Sequence, residues 1–446
     1  MKGDTLMKRL VSNWNGWKGM AVALFCLSGI IGGGAKAQER VTLSQCHEWA
    51  QANYPLIRRY DLIGQTERYN VSNAAKGWLP QLAVNAKATY QNEVTKLPFD
   101  ADMLSALIPG IQIPTVSKDQ YQVVAEVNQT IWDGGAIRST RRLAEAQAAA
   151  DRKQLESDLY ELNDRVNQLY FGCLLQDELI RQNGLLQKEL QINIDRLTAM
   201  MANGVANMSD RESMEVELLN ARQKEIELRA SRSAYGKMLA AFVGKPEGLV
   251  LEIPSLPGTA PLSASIDRPE LRALDAQGDL LDRQNGALTA GLMPRVGAFL
   301  QGGYGRPGLN MLKDGFDPFY MVGVRLSWNV GKFYTLKNDR RKIAASRQNV
   351  EVQRETFLFN TRLQMAQQNT EIRKIADLMK ADDEIIRLRT SIKEAAEAKL
   401  ANGVISVTDL IREINAEDQA RQSAATHRIQ QLQSLYNYMY TTNTEQ

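Results

Sequence analysis

The stretch Tyr121-Gln122-Val123-Val124-Ala125-Glu126-Val127-Asn128-Gln129-Thr130-Ile131-Trp132-Asp133-Gly134-Gly135 decides the fold. Tyr121, Val123, Ala125, Val127 and Ile131 alternate with Gln122, Glu126, Asn128 and Thr130. A period of two puts apolar and polar side chains on opposite faces of a strand. Three further segments share it. In one, Leu82, Val84, Ala86, Ala88 and Tyr90 oppose Asn85, Lys87, Thr89 and Gln91. In another, Val296, Ala298, Leu300 and Tyr304 oppose Arg295 and Gln301, with Phe299 out of pattern. In the last, Tyr320, Val322, Val324, Leu326, Trp328 and Val330 oppose Arg325, Ser327 and Asn329. Each runs about 10–12 residues, the length of a tilted membrane-spanning strand. A half-buried soluble sheet alternates in the same way, but two details favour a membrane. Lys87, Glu126, Arg295 and Arg325 all fall on the polar face, where they are expected to line a wet pore. Trp78, Tyr90, Tyr121, Trp132, Tyr304, Phe316, Tyr320, Trp328 and Phe333 cluster near strand ends, as an interfacial girdle requires. Four strands do not close a barrel, whose smallest members have about eight. An open edge is not viable in a bilayer, so the strands are expected to come from several subunits. Gly302-Gly303-Tyr304-Gly305 reads as a turn ending the third strand, not a phosphate loop, because no helix N-terminus follows it.

Outward from Gly135 the pattern changes. Ala136 to Ala202 contains no proline, and Ala, Leu, Glu, Gln and Arg dominate it. Leu155, Leu159, Leu162, Val166, Leu169 and Cys173 form a coiled-coil seam, resumed by Leu186, Leu190, Ile194, Leu197 and Met201. A helix of that span is roughly 100 Å long. Thr335 to Ala401 offers a second of equal length. The return legs come in pieces: Met208 to Val243, then a break at Pro246, Pro254, Pro257 and Pro261, then Asp267 to Leu292. Val407 to Tyr440 and Val41 to Leu79 together supply the other leg. Equal lengths, with strand pairs joining them at one end, predict a cylinder wall.

The chain also repeats itself. Gly77-Trp78-Leu79-Pro80-Gln81-Leu82 matches Gly291-Leu292-Met293-Pro294-Arg295-Val296, 214 positions on. Ala202-Asn203-Gly204-Val205 matches Ala401-Asn402-Gly403-Val404, 199 positions on, and Asp210 matches Asp409 at the same offset. The first copy therefore carries 15 extra residues, placed in the Pro-rich stretch Leu97 to Lys118, which reads as a loop. The organisation expected is a signal over 1–37, one structural repeat over 38–266 and a second over 267–446, intertwined in one barrel and tunnel.

The N-terminus reads as a secretory signal: Lys8, Arg9 and Lys18 precede an apolar run from Met20 to Ile31, and Ala35-Lys36-Ala37 suits cleavage. About 12 apolar residues are too few to span a membrane. The net charge of +3 falls to −1 when residues 1–37 leave, so nothing points to nucleic acid as a partner. Phe25 before Cys26 and Gln45 before Cys46 do not suit lipoprotein cleavage, and no lipid anchor is expected. Cys46 and Cys173 do not suggest a disulfide framework; Cys173, on the seam, reads as a small core hydrophobe. The two histidines, His47 and His427, lie in no metal-ligand spacing. No catalytic constellation, metal site or cofactor is expected, and the chain does not read as an enzyme.

Leu79-Pro80-Gln81-Leu82 at strand entry, Gln129-Thr130-Ile131-Trp132-Asp133-Gly134-Gly135 at strand exit, and two Gly-Val turns (Gly204 to Asp210 and Gly403 to Asp409) carry a resemblance to the TolC-like outer membrane factor family. It spans the mature chain in both copies. The second strand exit, Trp328-Asn329-Val330-Gly331-Lys332, departs from the first. The resemblance implies a membrane β-barrel continued by a long α-helical barrel, in a homotrimer whose four strands per chain make a 12-strand barrel in outer-membrane lipid. It implies a passive exit duct for small molecules such as drugs or toxic compounds, extending into the periplasm. A periplasmic adaptor and an inner-membrane pump, proton-driven (RND) or ATP-driven (ABC), would be its partners; the absence of a nucleotide motif agrees with energy supplied elsewhere.

By the same resemblance Gly204, Val205, Asp210, Gly403 and Val404 form tips that meet the adaptor. Locally, Gly204 and Gly403 suit left-handed helix caps, and Asn207 with Asp210, and Ser406 with Asp409, suit capping boxes. The family narrows just after the second turn, at acidic residues; Asp409 matches the first, and Arg412 stands where a second acid is often found. Either Asp409 and Arg412 pair at a closed gate, or Asp409 only caps its helix and Arg412 is solvated. Three alternatives stay open: a protein-secretion duct of the same fold, a periplasmic coiled-coil scaffold without a pore, and metal efflux through Met200, Met201, Met208 and Met214.

Overall fold

The computed structural model describes residues 40–95, 116–202, 204–255 and 265–444. The expected signal over 1–37, nearly all of the Pro-rich loop from Leu97, Asn203, Pro257 and Pro261 lie outside the described residues. Residues 41–446 form one unit. Its helices are α1 (Leu43–Asn53), α2 (Arg59–Ala75), α3 (Ala136–Ala202), α4 (Met208–Val243), α5 (Pro269–Gly291), α6 (Phe333–Ala401) and α7 (Val407–Thr442). Its strands are β1 (Gln81–Tyr90), β2 (Asp119–Trp132), β3 (Arg295–Arg306) and β4 (Asp317–Ser327), in one antiparallel sheet of order β1-β2-β3-β4.

The long helices are as the sequence predicts: α3 has 67 residues and α6 has 69. Their length comes from the absence of proline and from strong helix formers throughout. The N-terminal leg is less regular than a continuous helix from Val41 to Leu79. Pro55 cannot donate a backbone hydrogen bond, and Tyr54 before it is extended. The leg therefore breaks into α1, a 3₁₀ turn over Pro55–Arg58, and α2.

The seam of α3 organises the core. Leu155, Leu159 and Leu162 are buried against Tyr54, Leu56, Ile57, Tyr60 and Ile63. Val166, Tyr170, Phe171 and Cys173 join α1, α4 and α7 through Cys46, Leu239 and Ile429. Leu190, Ile194 and Leu197 close the far end with Met214, Leu218, Leu400, Leu410 and Ile414. Helix α3 thus packs on α2 and α5 in its strand-proximal half, and on α4 and α7 in its distal half, with α6 beside α5 and then α7. Arg268, at the N-cap of α5, is 7% exposed and lies 4.9 Å from the Tyr160 ring and 4.6 Å from the Tyr440 ring. Those two rings stack at 4.8 Å, so one cation ties α3, α5 and α7 together. Cys46 and Cys173, distant in sequence, share the central cluster as free thiols; burial pushes them up to about 12 and about 11.

Two expectations about the strands are corrected. Gly302, Gly303 and Gly305 are not a turn; they sit inside β3. A Cβ at Gly303 would lie 2.5 Å from the Phe319 ring, its register partner, so the glycine makes room for an aromatic folded across it. Trp328 and Val330 are not strand residues. β4 stops at Ser327, the Trp328 indole N–H donates to the Leu292 carbonyl at 2.9 Å, and Val330–Lys332 form a 3₁₀ turn into α6.

Candidate functional site

Register sorts the strand side chains into two faces. Leu82 pairs with Val127, Val127 with Leu300, and Leu300 with Val322. With the alternation along each strand, this puts Val84, Val123, Tyr304, Tyr320, Val324 and Leu326 on the same face. It is apolar and exposed: Val322 is 71% and Tyr320 77% accessible. A row of unburied β-branched and aromatic side chains of this size requires a cover, and lipid suits it.

The opposite face holds Lys87, Glu126, Arg295 and Arg325 together, as the sequence predicts. Glu126 pairs with Gln301 and Ala83, Arg325 with Gly297, Arg295 with Ser327, and Lys87 with Gln122. Arg295 and Arg325 stand nearest the helical end of the sheet; Lys87, opposite Gln122, stands four positions beyond Glu126, roughly 14 Å at about 3.4 Å per residue. An Arg325 guanidinium nitrogen lies 3.5 Å from Glu126, whose carboxylate also accepts from Asn128 at 2.9 Å. Phe299, which broke the alternation, belongs to this face: its ring covers Gly323, and the Arg325 guanidinium sits 4.8 Å above it. The pattern hid this because an aromatic opposite a glycine lies along the sheet.

At the other end of the molecule the two helix pairs turn at Gly204 and Gly403, both at φ +70°. Both turns are Schellman caps. Val205 N–H donates to the Met200 carbonyl and Gly204 N–H to Met201, while Val404 donates to Lys399 and Gly403 to Leu400. The return helices begin with complete capping boxes, Asn207 with Asp210 and Ser406 with Asp409. Val205 and Val404 are exposed, at 63% and 68%. Behind them the buried cluster that includes Met214 makes the tip rigid, and it makes Met214 a packing residue.

Asp409 has two partners. Hydrogen bonds from Ser406 hold its carboxyl below the usual range, with the charge of Arg412 as a smaller cause. Arg412 lies 3.4 Å from Asp409 and 3.3 Å from Glu413, and Arg389 of α6 reaches Glu413 at 3.5 Å. The cap and the pair thus coexist. Sequence reasoning passed over Glu413 and Arg389, and also an ionic group centred on the buried Glu417 above the tip. There Lys393 of α6 bridges Glu189 of α3 and Glu417 of α7, while Arg421 holds Glu417 at 2.6 Å. Glu417 is 2% exposed. Burial opposes its charge, but hydrogen bonds from Lys393, Thr390 and Arg421 outweigh it and hold the carboxyl at about 2. Only the Glu417–Arg421 spacing was visible as a local signal.

Among the described residues no helix is long and apolar enough to cross a membrane, and no group of His, Cys, Asp or Glu is arranged to hold a metal ion. The outer membrane efflux protein family model matches residues 48–245 and 261–439. No curated protein matches the chain by sequence. Among solved structures, the chain is similar to the OprN outer-membrane channel, at 14% identity and TM-score 0.64 over 90% of each chain. It is similar to the outer membrane protein VceC of Vibrio cholerae, at 13% identity and TM-score 0.62 over 89% of this chain and 95% of that one. It is also similar to the open state of the Neisseria gonorrhoeae MtrE outer membrane channel, at 17% identity and TM-score 0.60 over 90% and 88%. A family match over both halves, on a chain whose strand sheet has one apolar and one charged face, leads to one conclusion: the protein is an outer-membrane channel, not an enzyme, it extends into the periplasm, and it belongs to the outer membrane efflux protein family.

Proposed function

We propose that three copies of this chain form a passive exit duct for small molecules, working with a periplasmic adaptor and an inner-membrane pump driven by protons or by ATP. The observation that carries the reading is the paired incompleteness of sheet and helices. β1 and β4 each have one unpaired edge in the described sheet, and an open edge has no place in a bilayer. The helical layer ends in the same way, with Val216, Leu219 and Ile226 exposed on α4 and Leu378, Ile385 and Ile392 exposed on α6. One head-to-tail contact, repeated by rotation, covers both edges and both seams. Three copies of four strands give 12, within the size range of closed barrels.

In this reading the two repeats, 38–266 and 267–446, share one wall. The tips at Gly204, Val205, Asp210, Gly403 and Val404 meet the adaptor, because they are exposed, capped and stiff. Asp409 and Arg412 stand at the constriction, with Glu413 and Arg389 extending their network. Lys87, Glu126, Arg295 and Arg325 face the lumen. The test is threefold: the mass of the purified protein in detergent, single-channel conductance in planar bilayers, and dye accumulation in cells lacking the gene. A trimer that conducts, and whose loss raises dye accumulation, is the expected result. A conducting trimer whose loss leaves small-molecule accumulation unchanged but blocks release of a protein would replace the small-molecule duct with a secretion duct.

A further inference from the structure

Where the strands meet the helices, a cavity of about 360 Å³ opens on the charged side of the sheet. Its volume falls in the range of small-molecule sites. Arg295 and Arg325 line it, with Asn128, Thr130 and Ser327 supplying polar side chains and Ile137 an apolar wall. Its one carboxylate, Asp133, is 5% exposed and already engaged: its two oxygens accept the amides of Gly135 and Ile137 at 2.9 and 2.5 Å. That leaves the arginines to set the character of the cavity. Arg325 is fixed in place by Glu126 and by the Phe299 ring beneath it. Arg295 makes no ion pair among the described residues. A guanidinium offers a fork of donors matched to carboxylate, sulfonate or phosphate oxygens, and it stacks on aromatic planes.

We propose that this cavity is a transit subsite for amphipathic organic anions: small molecules with one acidic head and an apolar, preferably aromatic, body. The head meets Arg295 and Arg325, and the body lies along the Ile137 wall. The inference rests on the duct reading above, since it requires the charged face to line the lumen. It adds the substrate class that such a lumen favours. Each copy in an assembly carries the same cavity, so a permeating anion meets several equivalent sites around the wall. Weak, repeated sites of this kind pass a substrate along without trapping it.

The experiment uses whole trimers in planar bilayers, with probes added on the strand side, which the narrow tip does not obstruct. The probes are naphthalene-2-sulfonate, its cationic counterpart naphthylmethyl-trimethylammonium, and methanesulfonate as a head without a body. Naphthalene-2-sulfonate is expected to reduce the salt current at a concentration about tenfold below that of either other probe. Arg295→Gln and Arg325→Gln are each expected to raise that concentration about tenfold, the loss of one charge-assisted contact. Lys87→Gln, on the same face but outside the cavity, is expected to shift it much less. Equal block by the aromatic anion and cation overturns the subsite without any variant being needed. So does a shift with Lys87→Gln as large as with Arg295→Gln, which would assign the effect to the general charge of the lumen. Trimers that insert and do not conduct at all overturn the duct reading itself.

Discussion

Gly204 and Gly403 show how much one residue decides at the tips. Both have left-handed backbone, and a Cβ at either would meet nothing within 4 Å, so space is not what excludes other residues. The obstacle is conformational, on the order of 1–2 kcal/mol for a residue with a Cβ. Gly204→Leu and Gly403→Leu are therefore expected to leave the trimer at wild-type level, because the Schellman bonds are backbone bonds. Each places a bulky side chain on the proposed docking surface and is expected to abolish dye efflux. Normal efflux by either variant, with trimer intact, counts against docking there. At the proposed constriction, Asp409→Asn removes the charge that Arg412 faces, and Arg412→Ala removes the other partner. Both are expected to raise single-channel conductance, and Arg412→Asp is expected to increase cation preference. If all three match wild type in conductance and selectivity, the capping role of Asp409 is its only role.

At the scale of the helices, the ionic group around the buried Glu417 between α3, α6 and α7 sets a pH dependence with two opposed contributions. Glu417 is held at about 2, below its ordinary 4.5. Its charged form stabilises the packing above pH 4.5, and that contribution is lost as pH falls toward 2. Its neighbour Asp418 is shifted the other way, up to about 6 from 3.8, first by burial and then by Glu189 and Glu417, against a hydrogen bond from Gln422. The folded state thus binds the Asp418 proton more tightly than the unfolded state. Its charge is unfavourable above pH 6, and that cost fades as pH drops toward 3.8. Asp418→Asn should raise the thermal midpoint in detergent at pH 7.5 and raise it less at pH 5; an equal gain at both values would disprove the assignment. Lys393→Met leaves Glu417 buried with Arg421 as its one remaining cation beside the Thr390 hydroxyl, and a loss of roughly 3 kcal/mol is expected. Glu417→Gln in the same background should recover part of it, read as the same thermal midpoint.

At the scale of the whole molecule, the proposed ring makes one chain half of a contact. In it the exposed α4 and α6 residues and the β1 and β4 edges each meet a different border of the next copy. Such an interface closes only when the rotation between copies divides a full turn. Ile226→Asp and Ile385→Asp each put a charge into that seam, with the intrachain cores untouched. Both variants should run as monomer on a gel that preserves wild-type trimer, with helix content by circular dichroism unchanged. A wild-type protein that conducts ions as a monodisperse monomer would falsify the closed-ring architecture outright.

The sequence alone determined the periodic and the local: four strands by their alternation, two long helices by the absence of proline and an unbroken seam, the duplication by constant offsets, and both tips by glycine and capping signals. These are legible because each depends on neighbours a few positions away. The side of the sheet taken by Lys87, Glu126, Arg295 and Arg325 was legible too, since a strand fixes its faces by parity. What only the tertiary structure decided is whatever depends on contacts across the chain. Phe299, on the charged face by parity, finds room there because Gly323 lies opposite it on β4. Gly303 continues its strand because Phe319 fills its space. Lys393, Glu189 and Glu417 form one ionic group around the buried Glu417 although Lys393 and Glu189 stand 204 positions apart. Arg295 and Arg325 come to line one cavity because β3 and β4 pair in the register that sets Arg295 beside Ser327. Register and helix packing are properties of pairs of elements, and no single segment carries them.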